Sequence, residues 1–295
     1  MVLDLAEVEP VVGSLSPSRA SDFKTCPLLY RLRTIDRLPE QPSRAATRGT
    51  VVHAVLQHLF DLAPQHRTLA AAQALVEPAW EQLLDQAPEL AQLFSDDVGG
   101  DEFGAWLESA RDLLASYFAL ENPTRLQPAA REELVEAVVD GLRLRGYIDR
   151  LDVSPAGDIR VVDYKTGSIP REASEAKALF QMKFYALVLW RTRGMVPRQL
   201  KLIYLADRDT LTYCPDADEL AKFERTLQAI WAAIERATER GEFRASPSRL
   251  CEWCSHQALC PAFGGTPPPF PGDALHRVHH DRREQTLPPV VQPEL

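Results

Sequence analysis

Lysine is scarce in this chain: only six of its 33 basic residues are Lys, and the rest are Arg. A protein that uses Arg by default and keeps Lys at a particular place has a chemical reason there, because a compact ammonium and a planar guanidinium are not interchangeable. Long apolar runs are also missing. None approaches the roughly 20 residues that cross a bilayer, and the start "MVLDLAEVEP" has no basic stretch leading into an apolar one. The expectation is a cytoplasmic chain with no membrane partner. No Gly is followed by Lys, which excludes a Walker A phosphate loop. Excess positive charge is absent too. A formal net charge of -9 argues against a protein that coats nucleic acid with its whole surface, and leaves room for a local basic groove. The segment from Arg19 to Arg48 is such a place, with seven Lys or Arg against three Asp or Glu, a net of +4.

What is present is a globular composition. With 295 residues and 45% hydrophobic content, the chain can bury a large core as one elaborated domain or two small ones. Ser16-Pro17-Ser18 caps a helix running to about Leu32, and "RGTVVHAVLQHLFDL" has helical apolar spacing from Arg48 to Leu62. Two more amphipathic helices fall at about 68–87 and 101–121, with "SDDVGGDE" as a loop between them. From Glu132 to Tyr213 the texture is β, with turns at Asp140-Gly141 and Pro155-Ala156-Gly157 and one helix from about Ala173 to Arg193. A long helix follows from about Asp216 to Gly241. The organisation expected is an N-terminal helical segment (1–62), a helical region (63–130), a sheet with its helix (131–214), a C-terminal helix with a cysteine segment (215–265) and a proline-rich, disordered tail (266–295).

The stretch "RVVDYKTG", Arg160 to Gly167, reads as a buried strand running into a turn. A period of two puts Ile159, Val161, Asp163 and Lys165 on one face, with Arg160, Val162 and Tyr164 on the other. Burying an acid and a base together is costly unless they are paired or employed. Fourteen residues upstream, Asp149 stands in "GYIDRLD", on a strand that the Pro155 turn would run antiparallel to the first. Two carboxylates and a lysine then converge. Mg²⁺ is held by one or two carboxylates with substrate phosphate, and a lysine beside it holds the attacking water and balances charge. Downstream, Gln181 and Tyr185 are spaced i, i+4 on one helix face.

"GYIDRLD" followed by "VVDYKTG" resembles the core of the PD-(D/E)XK nucleases, within them the RecB-like exonuclease branch, related to the CRISPR-associated RecB-like nucleases and the AddB nuclease domain. Three more segments are similar to motifs of that branch: "RGTVVHAVL" with His53, "QMKFYAL" with Gln181 and Tyr185, and "CPLLYRLR" with Cys26. The resemblance runs from about Leu15 to Phe263. It implies an α/β fold, a restriction-endonuclease-like core with a mixed central sheet flanked by helices, carrying a helical insertion and an iron-sulfur clasp. It further implies that His53, Asp149, Asp163 and the Tyr164 carbonyl hold Mg²⁺ or Mn²⁺, that Lys165 positions the water, and that Gln181 and Tyr185 contact the DNA strand. The family's Pro before the first acid is absent, since Ile148 precedes Asp149. Its upstream acid has three competitors, Glu132, Glu133 and Glu136, of which the reading favours Glu136. Arg19 and Arg48, at the ends of the basic segment, are the expected DNA contacts.

Cys251, Cys254 and Cys260 lie near the C-terminal end of the folded part and Cys26 near its start. In a cytosolic chain disulfides are not expected. Four thiols fit either tetrahedral zinc or a [4Fe-4S] cluster, and spacing leaves the two open. The resemblance favours the cluster, because iron-sulfur members of the branch take one cysteine from the beginning and three from the end. Cys214 reads as a structural thiol.

The function expected is a metal-dependent deoxyribonuclease, an exonuclease on single-stranded or frayed DNA ends in repair or recombination, with any unwinding supplied by a separate helicase. The competing readings are a CRISPR spacer-processing nuclease and an adaptor that binds DNA ends without cutting them. The intact Asp149, Asp163 and Lys165 argue against the adaptor.

Overall fold

Hydrophobic alternation between Ala130 and Tyr213 is realised as one mixed sheet. The computed structural model describes residues 13–97, 99–167 and 172–279. Its strands are β1 (Gly13–Leu15), β2 (Ala130–Val139), β3 (Leu142–Val153), β4 (Ile159–Lys165), β5 (Gln199–Tyr204) and β6 (Asp209–Tyr213). The helices are α1 (Pro17–Thr25), α2 (Pro27–Tyr30), α3 (Arg44–Leu59), α4 (Leu69–Ala74), α5 (Val76–Gln86), α6 (Asp101–Leu120), α7 (Glu172–Arg193), α8 (Ala217–Arg240) and α9 (Ala274–His279). The result is an α/β architecture with helices on both faces of the sheet.

Two-residue turn chemistry sets the register of the longest ladder. Asp140 and Gly141 take φ of 48° and 77°, as a type I′ hairpin requires. β2 and β3 therefore pair from Val139↔Leu142 down to Ala130↔Leu151. β4 returns antiparallel to β3 through the Pro155 turn, and β5 runs parallel to β4. Parallel pairing needs a crossover, which α7 supplies. β3 carries neighbours on both edges: β2 along one, and on the other β1 beside Leu142–Leu144 and β4 beside Arg150–Val153.

Each face of the sheet buries its own core. Ile159, Val161, Leu200 and Leu202 pack with Phe184 and Leu187 of α7 and Leu227 and Trp231 of α8. Val162, Tyr164, Ile203 and Leu205 pack with Val51 and Val55 of α3 and Trp106, Leu113 and Tyr117 of α6. β4 and β5 are apolar on both faces because both faces are covered.

Local chemistry moves several expected boundaries. The first helix ends at Thr25, because Pro27 has no N–H to continue it and instead begins α2. The helix expected over 68–87 is two helices meeting at Leu75, with Pro78 in the first turn of the second. The expectation of a disordered tail from Thr266 is corrected for residues 266–279; the remainder lies outside the described residues. Phe270 packs at a tilt against Phe243 and under the Arg31 guanidinium, Arg31 donates to the Pro268 carbonyl, and Ala274 and Val278 are buried in the α7–α8 core. Prolines set the path of this segment while its few apolar side chains hold it down.

If that packing is structural, Val278→Asp places an unpaired carboxylate in a site 1% exposed and lowers the unfolding free energy by roughly 3 kcal/mol. Urea denaturation followed by tryptophan fluorescence reads this; an unchanged midpoint would show that 266–279 does not support the core.

Candidate active site

The site forms where β4 parts from β3. Their ladder ends at Arg150↔Val162, so Asp163, Tyr164 and Lys165 run on paired only to β5. Extending the two registers sets Glu132, Asp149 and Asp163 in one row across three strands. Carboxylates placed side by side repel, so the row exists only with compensating cations.

The strands are distorted at this row. Leu144, Ile148 and Leu151 all enter the α7-side core, a step of three instead of two between the last pair, so β3 changes face at Asp149 and Arg150. β2 changes face in step at Glu132, whose φ of 45° is unusual for a residue with a side chain. Because both strands shift together, the register is kept. Asp149 and Glu132 are thereby turned toward α3.

There they meet His53. Its Nδ1 lies 3.4 Å from Asp149 Oδ2 and 3.8 Å from Glu132 Oε1, and its Nε2 donates to the Tyr164 carbonyl at 2.9 Å. Asp149 Oδ2 accepts the Tyr164 N–H at 2.7 Å, filling the place of the missing ladder bond. The ligand atoms of His53, Glu132 and Asp149 lie within 4.8 Å of one another, the one such group among the described residues. An imidazole with two carboxylates suits a divalent cation such as Mn²⁺ or Mg²⁺.

On the other side of the row, Lys165 Nζ sits 3.0 Å from Asp163 Oδ2 and donates to Gln181 Oε1 at 2.9 Å. Gln181 Nε2 donates in turn to the Tyr185 hydroxyl at 3.0 Å. Gly146 makes room for this chain. A Cβ there would stand 2.7 Å from the Tyr185 ring, so the glycine of "GYID" is required by close approach.

Charge is balanced tightly. Burial disfavours the charged form of Asp149, but His53, the Tyr164 N–H and Lys165 outweigh it and hold the carboxyl below the usual range. Burial and the neighbouring Asp149 push Glu132 up. Burial also works against a charged His53, yet Asp149 and Glu132 raise its pKa well above the ordinary imidazole value. A proton on His53 thus does part of what a metal cation does at this place.

Behind the row lies a buried ionic network. The Arg150 guanidinium, 1% exposed, donates to Glu121 at 2.8 Å, to the Tyr164 hydroxyl at 2.6 Å and to Asp152 at 3.3 Å. Lys201 reaches Glu121 and Arg160 reaches Asp152. Arg150 follows Asp149 and Tyr164 follows Asp163, so one guanidinium ties together the two strands that carry the acids.

The expected residues are thus placed unequally. His53, Asp149 and the Tyr164 backbone meet, and Asp163, Lys165, Gln181 and Tyr185 form a connected chain beside them. Glu136 does not join: it lies opposite Arg145 in the ladder and pairs with it at 3.2 Å. Glu132 is the upstream acid that does. The hairpin holds the missed signal, because a two-residue turn at Asp140-Gly141 makes paired residues sum to 281, and 149 then faces 132. Arg48, expected as a DNA contact, is half-buried on α3. Its guanidinium bonds Ser109 of α6, and burial lowers its pKa. Arg19 is half-buried on α1. Arg31, Arg33 and Arg44 from the same basic segment pair with Asp36, Asp22 and Glu102 respectively, the last pair on the surface, so much of this charge is matched by nearby acids.

Cys26, Cys251, Cys254 and Cys260 line one pocket together with Leu28 and Leu32. The Ser246 N–H donates to Cys26 Sγ at 3.4 Å and the Ser248 N–H to Cys251 Sγ at 3.3 Å. No three of the sulfurs lie within 4.8 Å of one another. Cys214 is exposed, just past β6.

Residues 14–261 match the family model of the PD-(D/E)XK nuclease superfamily. The Gene 69 protein of Mycobacterium phage D29 is 24% identical over 271 residues, covering 84% of this chain and 96% of its own length. The Gene 69 protein of Mycobacterium phage L5 is 25% identical over 296 residues, covering 88% of this chain and all of its own. A crystal structure of a Eubacterium rectale protein described as a candidate exonuclease superimposes with a TM-score of 0.54 at 14% identity, covering 87% of this chain and 93% of that one. That likeness is one of fold.

The raised His53 pKa has a sign that can be checked. A group whose folded pKa exceeds its unfolded value stabilises below the unfolded pKa, and the stabilisation is lost as pH rises through the folded value. Metal-free protein is therefore expected to lose melting temperature as pH rises from about 6.5, and His53→Gln to flatten that slope. Parallel pH profiles of the two proteins would disprove the coupling.

Proposed function

Because this chain belongs to the PD-(D/E)XK nuclease superfamily, we propose that it is a metal-dependent deoxyribonuclease, an exonuclease acting on single-stranded or frayed DNA ends in repair or recombination. The observation that supports it most is the convergence of His53, Glu132 and Asp149 on one side of the Tyr164 backbone with the Asp163–Lys165 pair on the other. This donor set fits Mg²⁺ or Mn²⁺, held by His53, Asp149, Asp163 and the Tyr164 carbonyl, with Glu132 as a further acid. When bound, such an ion lowers the pKa of its water and offsets charge on the phosphate.

The protein's own groups do the rest. Lys165 presents an ammonium with three donors. Its contacts with Asp163 and Gln181 hold it beside the row of acids, within reach of a water or a phosphate oxygen bound there. Gln181 and Tyr185 fix the lysine's position without changing its charge. Arg150 holds the strands at the spacing the acids need. With no Walker A loop in the sequence, opening of a duplex falls to a separate helicase, which fits a preference for single strands. Among the described residues no helix is long and apolar enough to cross a membrane.

The four pocket cysteines are read as holding a [4Fe-4S] cluster that clasps the two ends of the fold. The backbone around the thiols supports their holding a metal centre. Two sulfurs already accept backbone N–H groups, as cluster thiolates do. Closing the loop between residues 26 and 251 restricts the unfolded chain strongly.

Purified protein is expected to degrade single-stranded DNA with Mg²⁺ or Mn²⁺ and to stop in EDTA. Lys165→Ala and Asp163→Asn should lower kcat by about 10²–10⁴ while strand binding persists. Full activity in either variant would reject the site. Anaerobically purified protein should be brown and contain iron. Cys26→Ala should bleach it and lower its melting temperature, whereas Cys214→Ser should do neither. Colourless protein carrying one zinc would reject the cluster.

A further inference from the structure

The β2–β3 hairpin has one face buried and the other half open, with Arg145 covered and Leu134 and Val138 exposed. Val135, Ala137, Val139, Leu142, Leu144 and Ile148 enter the core beneath α7. Directly cross-strand residues share a face, so the opposite face carries three pairs: Leu134 with Tyr147, Glu136 with Arg145, and Val138 with Arg143. Leu134 is 39% exposed and Val138 49%. Large apolar side chains left open in a row on a strand face invite an occupant.

Three features on this face indicate its chemistry. It is continuous with the site, since the next pair along is Glu132 with Asp149, so Tyr147 stands one same-face step from Asp149 and turns to the same side. Its central pair is internally neutral, Glu136 with Arg145 at 3.2 Å. Arg143, by contrast, has no side-chain hydrogen bond or ion pair among the described residues, and the Tyr147 side chain has no hydrogen bond or ring contact there. The face therefore offers an aromatic ring next to the acids, aliphatic pads beside it, and an unspent cation at the far end.

We propose that this face is the platform on which a single-stranded DNA substrate lies as it enters the site, with a base stacked on Tyr147 against Leu134 and a phosphate held by Arg143. The proposal rests on the nuclease reading above and names the surface that reading lacks, since Arg48 and its neighbours are engaged within the fold. A strand rises about 3.4 Å per residue, so Arg143 and Asp149 are roughly 20 Å apart, the reach of a few nucleotides. Only unpaired bases expose the π-face that Tyr147 would take; a duplex presents phosphates alone to such a surface. Because stacking suits every base, the platform is indifferent to sequence.

The test uses the full chain and fluorescein-labelled oligo-dT. Fluorescence anisotropy without divalent metal measures binding, and cleavage with Mn²⁺ gives kcat and KM. Tyr147→Ala is expected to weaken binding and raise KM about tenfold with kcat within about twofold of wild type, Tyr147→Phe to retain wild-type values, and Arg143→Ala to weaken binding and flatten its salt dependence. Circular dichroism confirms that each variant folds. Unchanged KM and affinity in Tyr147→Ala, with wild type active, would overturn the platform and spare the nuclease reading. Equal loss in Tyr147→Phe would overturn stacking. Wild type that binds oligo-dT through Tyr147 but does not cut would uphold the platform and overturn the nuclease. A concentration-dependent dimer that Leu134→Lys dissolves, with DNA affinity unaltered, would assign the face to a second copy of this chain.

Discussion

Everything at the site depends on one hydrogen bond, from the Tyr164 N–H to the Asp149 carboxylate at 2.7 Å. Two strands that part leave a backbone donor behind, and a buried N–H without an acceptor costs about as much as a lost hydrogen bond. Asp149 fills that vacancy from the neighbouring strand. The bond holds β3 and β4 near each other after their ladder ends, keeps the Tyr164 carbonyl within reach of His53, and, together with His53, favours the ionised Asp149 carboxyl inside the protein. A charge-assisted bond of this kind is shorter and stronger than a neutral one. The parting of the strands, which opens room for a substrate, and the fixing of the acid that serves it are thus the same event.

Electrostatics then explains the cast of neighbours. Glu132, Asp149 and Asp163 in a row are a poor arrangement for stability. Two cations flank the row, His53 toward α3 and Lys165 toward α7, and Arg150 braces it from behind. The φ of Glu132 adds local backbone strain of the sort that collects at working sites. An arrangement of acids that is unfavourable for the empty fold is favourable for one that receives a dication and a phosphodiester.

Much of this was legible in the sequence, and for definable reasons. Asp163 and Lys165 could be assigned to one face because β4 is regular, and Gln181 and Tyr185 to one helix face for the same cause. Glu132, Glu133 and Glu136 compete because strand periodicity does not separate them where both strands change face together; the hairpin sum survives that shift and points to Glu132. Arg150 left no readable trace, since its partners Glu121, Asp152 and Tyr164 come from three different segments. The basic segment misled because charge counted along a chain does not show which arginines are spent on nearby acids. The tail misled because proline content signals the absence of helix and strand, which is not the absence of packing: Phe270, Ala274 and Val278 suffice to anchor it.

That anchoring has a consequence for how the protein comes into being. Arg277 donates to the Ile35 carbonyl, and Ala274 and Val278 share a core with Leu15 on β1, so residues made early are completed by residues made more than two hundred codons later. A chain still on the ribosome has its sheet sequence exposed but lacks the last wedge of its α7–α8 core. Domains mature during synthesis from their N-terminal side, and here that order is blocked at the final step. Closure of the α7–α8 core therefore waits on residues 274–279, which join the first strand to the last helices of the fold.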